Sequence, residues 1–249
     1  MKILVLIAGV LDPKWPLDLH ENQLPVRSPD RLIMSPFDEA ALEVALQIRD
    51  RDPAVTIHAV IAGGAESEKL GRAVAAHSIA DVSCLPLLAP WDQGATARQL
   101  AAVASDATLI LLGREFGDCD DGIVPAMLAA LLGLPFFGRV QAVDAGPPPG
   151  LVRESGEFEE RLSVAAPLVA SATNDRRSRL RKPLMKNVML SRQQKITPIE
   201  AQAPTTGLAR MGRVRAVVSA RQATACRMLD CPPEQQARMI AGLLREASA

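Results

Sequence analysis

The residues best suited to chemistry lie together. Residues 111–125 read LLGREFGDCDDGIVP, which sets Asp118, Asp120 and Asp121 between Gly117 and Gly122. An apolar run ends at Gly113, and Ile123, Val124 and Pro125 open the next apolar stretch. A turn from a strand into a helix offers free backbone N–H groups and the positive end of a helix dipole, a ready seat for a phosphate. Three carboxylates there suggest other tasks. They can gather a divalent cation, although the calcium-loop spacing is missing. They can also brace the turn and cap the helix, the common use of Asp in such places.

Other candidates are sparse. The chain has three histidines, His20, His58 and His77. His58 falls inside a strand, where a satisfied core histidine is the plain reading. No Ser or Cys has an identifiable His base, so no nucleophilic constellation emerges. Cys84, Cys119, Cys226 and Cys231 form no CxxC pair, which disfavours structural zinc and reads as free thiols in a reducing compartment. Two more small-residue turns, at 6–12 and 62–64, can let a ligand approach the backbone, or can merely turn the chain. Neither is a Walker loop or G-x-G-x-x-G.

Composition narrows the class. The 249 residues are 48% hydrophobic, enough for a sizeable core, and carry 28 basic against 28 acidic side chains. That balance argues against a nucleic-acid binder driven by charge. With 3% aromatics and no Tyr there is no base-stacking platform. The start, MKILVLIAGVLD, is too short and too soon acidic for a signal peptide, and no apolar run reaches membrane-span length. The expectation is a cytoplasmic protein without membrane insertion.

The elements that must position the turn alternate. Residues 3–8 are a short continuous apolar run, the mark of a strand buried on both faces. Residues 11–34 hold four prolines and read as a loop. Ser35, Pro36, Asp38 and Glu39 start a helix over SPFDEAALEVALQIRD. Strand and helix then alternate through AVTIHAVIAGG, AESEKLGRAVAAHS, ADVSCLPL, QGATARQLAAVAS, ATLILLG and IVPAMLAALLG. This predicts an α/β fold with a doubly wound parallel sheet. From about 138, proline- and glycine-rich turns join strands read as a small antiparallel extension. A basic segment, 174–196, follows; it is a solvated face, a nucleic-acid contact or a docking site for an acidic protein. Residues 200–232 are irregular, with VRAVVSA the one strand-like piece, and the chain closes in an amphipathic helix. The predicted division is a nucleotide-binding α/β domain with extension and docking segment over 1–196, and an extended arm with helix over 197–249.

Five ordered segments resemble the β subunit of electron transfer flavoprotein. LIMSPFDEAALEVALQIRD is similar to the family's N-P-F-[DC]-E-x-A signature, and residues 55–85 to its second strand, glycine turn and helix. LILLGREFGDCDDGIVPAMLAALLGLP aligns without gaps to the family's strand–acidic turn–helix. NDRRSRLRKPLMKNVMLSRQQKI resembles its docking segment, and the last helix its C-terminal helix after an extended arm. The resemblance implies an adenine-nucleotide-α-hydrolase-like sheet and a heterodimer with an α subunit that holds most of an FAD. It implies an electron carrier without catalytic residues, serving a flavin-dependent dehydrogenase. It also implies an AMP in the β subunit, or in bifurcating relatives a second FAD. A stand-alone adenine-nucleotide module on the same sheet is the alternative of another class.

Carried over by position, the cofactor-binding residues are Leu6, Ala8, Ser35, Pro36, Phe37, Asp38, Ala62, Gly63, Asp118, Asp120, Asp121, Gly122, Ile123, Val124 and Ala126. Partner docking falls to Met185, Lys186, Asn187 and Met189. By the resemblance, the family's Gln stands at Ile123, its Thr or Val at Val124 and its small residue at Pro125; Ile and Val side chains cannot donate to a phosphate as Gln and Thr would, and Pro125 removes a backbone donor. AMP is therefore expected to bind weakly or not at all.

Overall fold

The apolar run at the start forms strand β1 (Lys2–Ile7), with every residue after Lys2 buried. A strand covered on both faces must alternate between two cores, and this one does. Ile3, Val5 and Ile7 face one cluster, and Leu4 and Leu6 the other. This is seen in a computed structural model that describes residues 1–20, 26–63, 65–104, 106–144, 146–200 and 228–247.

β1 is the centre of a parallel sheet. The remaining elements up to the acidic turn are β2 (Val10–Leu11), β3 (Leu32–Ile33), α1 (Pro36–Arg51), β4 (Thr56–Ala62), α2 (Glu68–Ala75), β5 (Asp81–Leu85), α3 (Gln93–Val103) and β6 (Leu109–Gly113). After the turn come α4 (Ile123–Leu132), β7 (Phe136–Val140), β8 (Ala142–Asp144), β9 (Gly150–Ser155), β10 (Phe158–Ser163), β11 (Leu168–Ala172), α5 (Met185–Ser191) and β12 (Thr197–Pro198). Among the described residues, seven strands pair in the order β12-β5-β4-β1-β6-β11-β7. Every pairing in that sheet is parallel. Helices α1 and α2 pack on one face, and α3 and α4 on the other. The fold is a doubly wound α/β sheet, as the alternation predicts.

Two sequence readings shift. β7 and β11 belong to the parallel sheet, and only β8, β9 and β10 make the small antiparallel sheet. The reason is burial. All five residues of β11, LVASA, are buried, so it needs cover on both faces, whereas β10 alternates toward solvent. The proline-rich loop is also closed at its base, where β2 and β3 pair antiparallel through Val10–Ile33 and Leu11–Leu32.

The tail begins by finishing the sheet. Thr197 and Pro198 pair with Ser83 and Cys84 of β5, and the Ile199 amide donates to the Cys84 carbonyl at 2.8 Å. Pro198 has no N–H, so this outermost strand lacks one of the groups on which another chain could be templated. The strand-like stretch VRAVVSA lies outside the described residues. Helix α6 (Pro233–Ala247) is a separate unit, and Ile240, Leu243 and Leu244 along it are exposed. No helix among the described residues is long and apolar enough to cross a membrane.

Candidate functional site

The chain lays β4 and β5 on one side of β1, then crosses to β6 on the other. Strand order reverses there, and open α/β sheets bind ligands beyond the carboxyl ends of the strands at such a point. Ala8, Ala62, Gly63 and Asp118 line a cleft of about 70 Å³ at this place, together with Arg27 and Thr96. Leu6 lies fully buried beneath it. A Cβ at Gly63 would fall 1.9 Å from the Ser67 hydroxyl, so a larger residue there requires that side chain to turn away. A wider groove of about 480 Å³ opens between Lys2, Asp81 and Asp106, at the amino edge of the strands, where this fold does not bind its ligands.

Each carboxylate of the acidic turn has its own partner. Asp120 is nearly buried, and its Oδ1 accepts from the amides of Gly122 (3.1 Å), Ile123 (2.9 Å) and Val124 (3.2 Å). Its Oδ2 accepts from the Phe116 amide at 2.9 Å. Gly122 makes this curl possible at φ +101°, a conformation that side chains resist. The side chain thus caps α4 and satisfies its otherwise orphaned first-turn donors. Pro125 contributes none.

Asp118 faces the other way. Its Oδ2 lies 2.6 Å from Nη1 of Arg27, and its Oδ1 accepts from the Leu11 amide at 3.3 Å. Arg27 also donates to the Gly9 carbonyl at 3.4 Å, so one guanidinium ties the proline-rich loop to β1 and the acidic turn. Asp121 is exposed and accepts from Gln93 Nε2 at 3.2 Å. Among the described residues, no three His, Cys, Asp or Glu side chains are grouped to hold a metal. Ile123 is exposed, Val124 is buried on the sheet, and Ala126 points to solvent.

The start of α1 flanks the same switch point without lining the cleft. Ser35 Oγ accepts from the Asp38 amide at 3.0 Å, and Asp38 Oδ2 accepts from the Ser35 amide at 3.2 Å, a reciprocal capping box. Pro36 sits in the first turn. The Phe37 ring carries the Arg114 guanidinium 4.9 Å from its centroid. Asp38 is completely buried and its Oδ1 makes no hydrogen bond. Burial pushes its carboxyl up to about 6, and Ser35 and the amides of Gly9 and Ala8 offset this only in part.

The docking segment is pinned and its tip is bare. Arg181 joins Glu43 of α1 at 2.7 Å, Asn187 Nδ2 donates to the Ser78 hydroxyl at 2.8 Å, and Gln194 donates to the Ile79 and Ala80 carbonyls. Asn187 is therefore an anchor of α5. Leu184, Met185, Met189 and Leu190 stand exposed, Met185 at 75%, among Lys182, Lys186 and Arg192.

Elsewhere, His58 on β4 is satisfied by the neighbouring strand β5. Its Nε2 lies 3.0 Å from Ser83 Oγ and 3.7 Å from Asp81. Both meet the same ring nitrogen, whereas a catalytic triad needs its acid on the opposite one. Arg27, Thr96 and Asp92 escaped the sequence reading. Asp92 caps α3 by accepting from the Ala95 amide at 2.9 Å, and its place before a helical pattern is the standard cap signal. Arg27 carries no local signal, since its partner lies 91 residues away.

Residues 26–204, well over half of the chain, match the family model described as "Electron transfer flavoprotein domain". The chain is also similar to a protein described as electron transfer flavoprotein subunit beta, from Syntrophomonas wolfei subsp. wolfei (strain DSM 2245B / Goettingen). The two are 26% identical over 206 residues, which cover 82% of this chain and 81% of that protein. The matched region covers the cleft lining from Arg27 onward, the acidic turn and α5, and by fold, motif order and likeness the chain belongs to the electron transfer flavoprotein family as a divergent member of its β-subunit branch.

Proposed function

We propose that this chain is the β subunit of a heterodimeric electron transfer flavoprotein, a cytoplasmic carrier that takes electrons from a flavin-dependent dehydrogenase and passes them to a downstream acceptor. FAD, held mostly by the α subunit, supplies the redox chemistry when bound. The chain needs no acid–base residues for this role. Its tasks are to complete the flavin's surroundings, to join α through the arm over 197–249, and to dock the donor.

The observation that carries this reading is α5. Four large apolar side chains are bare, Leu184 at the cap and Met185, Met189 and Leu190 on a helix held in place by Arg181, Asn187 and Gln194. Adaptable methionines inside a ring of Lys and Arg suit a brief encounter with a partner bearing acidic groups around an apolar patch. Helix α6 supports the second contact, because its exposed Ile240, Leu243 and Leu244 form a stripe suited to a subunit interface.

The test is co-expression with an electron transfer flavoprotein α subunit from the same organism. A heterodimer containing one FAD, reduced by a flavin dehydrogenase and reoxidised by an electron acceptor, is the expected result. A chain that stays monomeric and flavin-free in the presence of α would overturn the proposal.

A further inference from the structure

The family implies an adenylate at the switch-point cleft, and the residues present do not fit one. A phosphate at the start of α4 needs donors. Asp120 already occupies the amides of Gly122, Ile123 and Val124, and Pro125 has none. The side chains at 123 and 124 add no donor, being Ile and Val, which leaves the neutral Thr96 hydroxyl as the unpaired side-chain donor on the cleft wall. Among the described residues Arg27 is the one cation lining the cleft, and it is spent on Asp118 at 2.6 Å; Glu66 adds another acid to the wall. The space is about 70 Å³, against the several hundred typical of small-molecule pockets. It suits a few waters, and the buried Thr96 hydroxyl on its wall, which has no protein partner, gives them something to bind.

From these contacts we infer that the chain closes its own nucleotide cleft: Asp120 stands as the anion on α4, and the Arg27–Asp118 pair straps the first loop across the opening, so that no AMP and no second FAD is held there. The inference deepens the carrier reading, because it makes this a one-nucleotide flavoprotein in which side chains do the structural work of a bound nucleotide. Arg27 enters from a loop whose base is the β2–β3 pair, and its contact with the Gly9 carbonyl holds it at the end of β1. Two lost side-chain donors to a charged acceptor correspond to about 10²- to 10⁴-fold in affinity.

The test uses the co-expressed heterodimer. Nucleotides are released by acid and identified by chromatography, and AMP binding to the native complex is followed by calorimetry. FAD alone, with no heat on adding AMP, is the expected result. A heterodimer holding FAD and one AMP overturns this inference and leaves the carrier reading standing. If no heterodimer forms, the carrier reading fails, and calorimetry of AMP on the full chain alone still decides the inference: AMP binding overturns it, no heat upholds it. In the R27A/I123Q/V124T variant, which loosens the strap and restores two side-chain donors, AMP binding is expected to appear. Wild-type binding that vanishes in R27A would instead make Arg27 a phosphate ligand and sink the idea.

Discussion

Nη2 of Arg181 lies 2.7 Å from Oε1 of Glu43, joining residues 138 positions apart. Glu43 is almost fully buried on α1, and it also accepts from the Arg181 amide at 3.1 Å and from Gln47 at 3.2 Å. A second Arg181 nitrogen reaches Asp50. This pair fastens the docking segment to the core before α5 begins.

Arg181→Ala leaves that buried carboxylate without its main partner. The expected cost is about 2–3 kcal/mol, below the range for a fully buried pair because Arg181 is partly exposed. Urea midpoints of the heterodimer measure it. Unchanged midpoints would show that the clamp contributes nothing.

Asp38 predicts a pH slope. Its unfolded carboxyl titrates near 3.8 and its folded one at about 6. Below about pH 4 both states are protonated and no charge is buried. Between the two values the unfolded chain ionises first, so stability falls as pH rises. Above pH 6 the penalty is complete at about 3 kcal/mol. Asp38→Asn keeps an acceptor for the Ser35 amide and removes the charge. It should flatten the slope and raise stability at pH 7, as read from denaturation midpoints across pH 4–8. A variant less stable than wild type at pH 7 would refute the assignment.

Asp120→Ala strips four accepted amide bonds from one turn. The helix cap and the loop both loosen, at an expected cost of about 2–4 kcal/mol. Hydrogen exchange at Ile123 and Val124 should accelerate along with the fall in melting temperature. Protection unchanged at those amides would mean another group caps α4.

Met185→Glu tests docking without touching the fold, since the side chain is 75% exposed. The rate of reduction by the donor dehydrogenase should drop about tenfold, a usual cost for a central interface residue. Melting temperature and FAD content should stay put. Rising ionic strength should slow the wild-type reaction through the Lys182, Lys186 and Arg192 rim. A rate indifferent to both changes would move the docking site elsewhere.

The sheet was readable because its signals are local. Continuous apolar strands, Ser35 with Pro36 at a helix start, and glycines after strands each speak from a few residues. The role of β11 was harder, since LVASA contains a serine and follows a proline-rich hairpin, and only its burial under helices reveals a parallel strand. At the cleft the acidic turn stood out by composition, but what its acids do depends on geometry. Asp118 is explained by Arg27, 91 residues away, and Asp120 by the curl of its own turn. Such pairings arise from tertiary closure, which no spacing rule encodes.

The outer strand β12 has a consequence for synthesis on the ribosome. β5 is complete at Leu85, yet its outer neighbour Thr197–Pro198 emerges more than a hundred residues later. At typical translation speeds the nascent sheet carries an open edge for roughly 5–20 s. During that interval the buried Val82 and Cys84 of β5 rely on α2 and whatever chaperone is at hand. A message truncated near codon 190 would leave that edge permanently uncovered, so aggregation of the fragment, more than loss of docking, is what the cell would meet first.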